Sequence, residues 1–215
     1  MYNIVLICTV HTELGKCNSK ELYKIIEIIE PEVIFEELSV SIFNQCYNEQ
    51  RHSNLLEQNA IKEYLKKYQI EHIPVDTYEI PNSYYSDCEY KLKQIFNKNI
   101  EYTKLLNNHS SLVKQGGFKF LNNSQSDLIF QRISVLEKNI IDKLNNENLS
   151  YLYRLRIDTD DKRENEMLNN IYNFSNNCKY NKALMFTGAW HKIPLIKKIN
   201  DYINEKELKL NWILE

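Results

Sequence analysis

Two histidines, His11 and His191, each stand a few residues beyond a continuous apolar run, Ile4-Val5-Leu6-Ile7 and Ala183-Leu184-Met185-Phe186. An imidazole in such a place can act as a general base near neutral pH or bind a divalent metal through a neutral ring nitrogen. Carboxylates sit at comparable points. Glu36-Glu37 closes the run Val33-Ile34-Phe35, and Asp76 closes Glu71-His72-Ile73-Pro74-Val75. Side chains alternate across a strand, so only one of Glu36 and Glu37 can join His11. Arg163, followed by Glu164, could orient Glu37 or steady an anionic transition state through a bidentate contact. Glu13 in the His11 loop, together with Asp76, Glu164 and Gly188, complete the supporting candidates. Each feature also has a plain structural explanation. A lone histidine near a strand end is more often a packing or capping residue, and Arg163-Glu164 alone is a charged helix face. Two histidines at matched positions, with acids at neighbouring strand ends, favour a site.

The elements that must position these groups are legible. Ile4–Ile7 is apolar enough for a strand covered on both faces, and Glu32–Phe35 reads as the second strand. Between them Asn18 or Ser19 can cap a helix carrying Leu22, Ile25, Ile26 and Ile29, which Pro31 ends. Helical patterns follow over Val40–Tyr47 and from Asn54 to about Lys67. Glu71–Asp76 reads as a third strand, weakened by Pro74, which cannot donate to a central ladder. Ser83 to about Asn108 and Ser124 to about Asn146 read as a pair of long helices, with Gln115-Gly116-Gly117-Phe118 as the turn region between them. A further helix is expected over Asp160–Asn176, capped by Asp158, Thr159 or Asp160, placing Arg163 in its first turns. The strand Ala183–Phe186 follows, where Gly188 can take a positive φ that turns His191 into a cleft. The helix Ile193–Ile203 and a strand over Leu208–Leu214 close the chain. The expectation is an α/β protein: one domain over residues 1–215, with a mainly parallel sheet, helices on both faces and a helical insertion at about 83–147. In such sheets ligands bind where strands deliver their carboxyl ends.

Composition narrows the class. The chain has 215 residues, 26% charged and 43% hydrophobic, with a formal net charge of -2. That balance gives no general attraction to nucleic acid or anionic lipid, and no apolar run is long enough to cross a bilayer. Neither nucleic acid nor membrane is an expected partner. The five cysteines are odd in number and contain no C-x-x-C pair, so neither a disulfide framework nor a structural zinc site is indicated. A reduced cytoplasmic protein is expected, and Cys8 and Cys17 read as packing residues because nothing nearby is placed to lower a thiol pKa.

The order of these motifs is similar to that of a known group. Thr9-Val10-His11, then Pro31-Glu32-Val33-Ile34-Phe35-Glu36-Glu37-Leu38, then Arg163-Glu164-Asn165-Glu166-Met167 and Gly188-Ala189-Trp190-His191 resemble the TraB/PrgY pheromone-shutdown and TIKI protease group. Erythromycin esterase-like and ChaN-like proteins are its distant relatives. The group carries two G-x-x-H motifs, a P-[DE]-x-V-x-x-E-L strand and an R-[DNE]-x-x-M helix start. The second G-x-x-H is intact here, the glutamate before leucine falls on Glu37, and Cys8 replaces the first-motif glycine. A cysteine fits there if the backbone stays extended. The middle of the chain, about Val40 to Asp158, is unmatched apart from Asp76. The resemblance implies a hydrolase that cleaves a peptide, other amide or ester bond with activated water. In a metal version His11, Glu37 and His191 ligate manganese, cobalt or zinc. In a metal-free version His11 is the base, Glu37 orients it, and Arg163 or His191 steadies the oxyanion. The expected partner is a peptide or small-molecule substrate. The competing expectation is a non-catalytic binding or regulatory protein that keeps the cleft.

Overall fold

The computed structural model describes residues 2–49, 55–80 and 84–214. His52 and the expected helix starts at Asn54 and Ser83 lie outside the described residues. Five strands, β1 Tyr2–Thr9, β2 Val33–Glu36, β3 Glu71–Pro74, β4 Lys182–Gly188 and β5 Leu210–Leu214, form one sheet in the order β3-β2-β4-β1-β5. All pairings are parallel. The fold is α/β, with helices on both faces. β1 is buried along most of its length, as the unbroken apolar run requires. β3 is an edge strand ending at Pro74, where a missing N–H costs the ladder little.

The chain enters β4 last of the three central strands, yet β4 lies between β1 and β2. Its register sets Thr9 opposite Gly188 and Glu36 opposite Phe186. The carboxyl ends of β1, β2 and β4 therefore meet at one rim although they are far apart in sequence.

Helix α1, Ser19–Ile29, starts under Asn18, whose side chain accepts from the Glu21 N–H at 3.0 Å, and stops at Glu30 in the left-handed region. α2, Val40–Phe43, runs on into wider π-type turns over Asn44–Asn48, and α3 spans Leu56–Leu65. The helical middle differs from the expected pair. π-type turns over Tyr84–Glu89 lead into α4, Tyr90–Phe96, and Asn99 caps a separate α5, Ile100–Leu121. The Gln115–Phe118 stretch lies inside α5, which breaks at Gly117 (φ 64°, ψ -152°) and continues. Gly117 is needed because the β1–α1 loop presses against it: a Cβ there would lie 3.0 Å from Lys16 Cβ. α6 covers Ser124–Leu144.

α7 is one helix from Glu147 to Asn177, capped by Asn146. Asp158, Thr159 and Asp160 are interior residues, not caps. Thr159 Oγ1 donates to the Leu155 carbonyl at 2.7 Å, so its hydroxyl bonds back into the helix. Arg163 consequently stands mid-helix, held by a rigid rod rather than a fraying first turn. α8, Lys192–Glu205, follows a short 3₁₀ turn at Ala189–His191. One buried apolar cluster packs on the sheet, and a second joins Leu92, Phe96, Tyr102, Ile133 and Leu152 within the helical part.

Candidate active site

Glu37 is the first residue beyond β2, and its backbone N–H donates to the Phe186 carbonyl at 3.2 Å. That bond sets its carboxylate beside the end of β4. Oε2 accepts from Gly188 N–H at 2.6 Å and Thr187 Oγ1 at 2.8 Å. Oε1 accepts from Arg163 Nη2 at 2.7 Å and lies 3.3 Å from His191 Nε2. Burial opposes the charged form, but the His191 and Arg163 charges outweigh it and hold the Glu37 carboxyl far below the usual range. Glu36 points elsewhere, accepting from Tyr47 at 2.8 Å and pairing with His72 Nε2 at 2.8 Å, as strand alternation requires.

Arg163 also reaches Asp76 Oδ2 through Nε at 3.0 Å and Nη2 at 2.8 Å. Asp76 Oδ1 is buried without a partner among the described residues. Burial raises the Asp76 pKa despite the guanidinium. His191 is buried, with Nδ1 2.9 Å from Glu164 Oε1. Burial disfavours its charge, but Glu37 and Glu164 dominate and raise its pKa to about 10. His191 is an imidazolium between two carboxylates. It stands behind Glu37, and Gly188 keeps a negative φ of -61°. The expected positive φ at Gly188 does not occur. A glycine suits this position because a Cβ would lie 2.8 Å from His11 Nε2 and 3.5 Å from Glu37 Oε2.

The left-handed residue is His11 itself, at φ 59°. Thr12 N–H donates to the Val10 carbonyl at 2.7 Å, closing a three-residue turn of the rarer, strained hand around His11. Cys8, at the glycine position of the first motif, is ordinary extended strand. β5 pairs with β1 only as far as Leu6, and beyond it Asn122 bonds Cys8 N–H at 2.8 Å and Cys8 C=O at 3.1 Å. Burial pushes the thiols of Cys8 and Cys17 up to about 12, so both are packing residues.

The carboxylate at His11 Nδ1 is Glu57, at 2.8 Å, rather than Glu37. Glu57 lies in the first turn of α3 and also accepts from Thr9 Oγ1. The Leu56 N–H donates to the His11 carbonyl at 2.9 Å, so the start of α3 is docked on the His11 turn. Burial lowers the His11 pKa, but the Glu57 hydrogen bond and the charges of Glu57 and Glu37 raise it further, leaving it above its ordinary value. The His11 side chain is 46% exposed. With Nδ1 on Glu57, the neutral ring keeps its lone pair on Nε2. Glu13 stands apart, accepting from Ser19 at 2.6 Å as part of the α1 start.

A cleft of about 240 Å³ opens at this rim, lined by His11, Glu36, Glu37, Leu38, Leu55, Glu57, Phe186 and Thr187. Among the described residues no group of three His, Cys, Asp or Glu side chains is placed to hold a metal ion. An ionised carboxylate offers about four lone-pair sites, and four groups already surround Glu37, one a guanidinium. The set His11, Glu37 and His191 does not fit a divalent ion in this arrangement.

The molecule thus presents an open parallel α/β sheet with a buried ion cluster and a histidine–glutamate pair at its carboxyl rim. No family model, no curated protein and no solved structure matches the chain. Among the described residues no helix is long and apolar enough to cross a membrane.

Proposed function

We propose that this protein is a hydrolase of the TraB/TIKI type, cleaving a peptide, other amide or ester bond with His11 as the base that activates water. The pairing of His11 Nδ1 with buried Glu57 carries this reading. Glu57 fixes the tautomer and stabilises the imidazolium that forms on proton transfer, so it is a positioning residue. His11 Nε2 takes a proton from a water in the cleft, and the resulting hydroxide attacks the substrate carbonyl. The same nitrogen returns the proton to the departing amine or alcohol. Arg163 and His191 neutralise Glu37, so that a carboxylate in the cleft wall does not oppose an anionic transition state. No step uses a metal, because the lone pairs of Glu37 are already engaged.

The deciding experiment is hydrolysis of a panel of amide and ester substrates by the native chain and by His11→Ala. Activity lost in a variant with native circular dichroism supports the reading. A variant that hydrolyses at the native rate overturns it.

A further inference from the structure

Among the described residues that line the cleft, three are glutamates and His11 is the one basic side chain. Two of the acids are already satisfied: Glu37 by Arg163, His191, Thr187 and Gly188, and Glu36 by Tyr47 and His72. Glu57 is not. Its Oε1 is taken by Thr9 and His11, but its Oε2 is buried with no partner among the described residues, on a residue only 4% exposed. A buried carboxylate oxygen without a donor is costly and is normally filled by protein, water or ligand.

We propose that the cleft takes a protonated primary amine of the substrate, with its ammonium group donating to Glu57 Oε2. The inference rests on the hydrolase reading in treating the occupant as a substrate. An ammonium supplies both the missing donor and a positive charge against the Glu57 carboxylate. The remaining lining, Leu38, Leu55 and Phe186, suits an alkyl stem better than a bare metal ion. The cleft is also smaller than the roughly 300–1,000 Å³ of sites that enclose a whole drug-sized ligand, so it fits one amine-bearing arm or chain terminus. The same Glu57 would then hold the base through one oxygen and the substrate through the other, setting the amine at a fixed place relative to the attacking water.

Titration calorimetry with n-butylammonium and with 1-butanol tests the inference by binding alone, so a failure of catalysis does not decide it. The native chain should prefer the cation roughly tenfold, the factor for one charge-assisted hydrogen bond in a partly desolvated site. Glu57→Gln should abolish that preference. His11→Gly, which suits the left-handed backbone and removes the neighbouring imidazole, should tighten butylammonium binding roughly threefold. This second variant decides the matter if Glu57→Gln does not fold. Equal affinities for cation and alcohol in the native chain and in His11→Gly overturn the inference, as does a Glu57→Gln variant that keeps the native preference.

Discussion

Arg163 and Glu37, 126 positions apart in the chain, meet at 2.7 Å between Nη2 and Oε1. The same guanidinium holds Asp76, so one cation from the middle of α7 ties the ends of β2 and β3 together. Removing it takes from Asp76 its main counter-charge and from Glu37 one of two, His191 being the other. Arg163→Leu is expected to cost about 3–5 kcal/mol, the range for breaking a buried pair from one side, read from urea unfolding. A loss below ~1 kcal/mol would mean that the cluster contributes little to the fold.

Gly188→Ala separates stability from site geometry. The backbone there (φ -61°, ψ 140°) is open to any residue, but the new methyl would lie 2.8 Å from His11 Nε2 and 3.5 Å from Glu37 Oε2, so the His11 ring must shift. The variant is expected to unfold within about 1 kcal/mol of the native chain. Its His11 ring resonances should shift and its hydrolysis should fall.

His191 sets the alkaline side of the stability profile. Its folded-state pKa of about 10 lies above the unfolded value of 6.5, so its contribution is fully present below about pH 6.5 and fades as pH rises through about 10. Urea midpoints should fall across that window in the native chain. Subtracting the profile of His191→Gln, which keeps the lysines and tyrosines that titrate nearby, isolates the histidine. Parallel profiles would contradict the assignment.

Glu57→Gln tests positioning through the pH profile of hydrolysis. Glu57 holds the His11 pKa above its ordinary value, so its neutral replacement should lower that pKa and move the acid limb of kcat/KM to lower pH. The rate at the optimum should drop by about 10²–10⁴, the scale of general base catalysis. An unmoved limb with a reduced rate would indicate a structural role alone.

Asn122 completes the outer edge of β1 where β5 has ended. Asn122→Ala should leave the Cys8 N–H and C=O buried and unpaired, at a cost of about 1–3 kcal/mol. Hydrogen exchange at the Cys8 amide should accelerate well beyond that at Leu6.

The sheet and its rim were legible in the residue pattern. Unbroken apolar runs at Ile4–Ile7, Val33–Phe35 and Ala183–Phe186, short and followed by polar or turn residues, read as strands covered on both sides, which puts those polar residues at their carboxyl ends. Glu57, absent from the candidates, and Glu164, already one of them, both carry a signal in the helical periodicity. Glu57 shares a helical face with Ala60, Ile61 and Tyr64, and Glu164 shares one with Met167, Leu168 and Ile171. Both are buried there against a histidine. Which acid serves which imidazole depends on how the elements pack. Glu57 reaches His11 because the first turn of α3 docks on the His11 turn, and Glu37 goes to Arg163 and His191 because β4 inserts between β1 and β2. Strand order and helix docking are set by long-range packing, which local spacing does not encode. The same reason kept α7 hidden as a single rod, since Asp158 and Asp160 imitate a helix start while burial of Thr159 and Glu164 holds the helix through them.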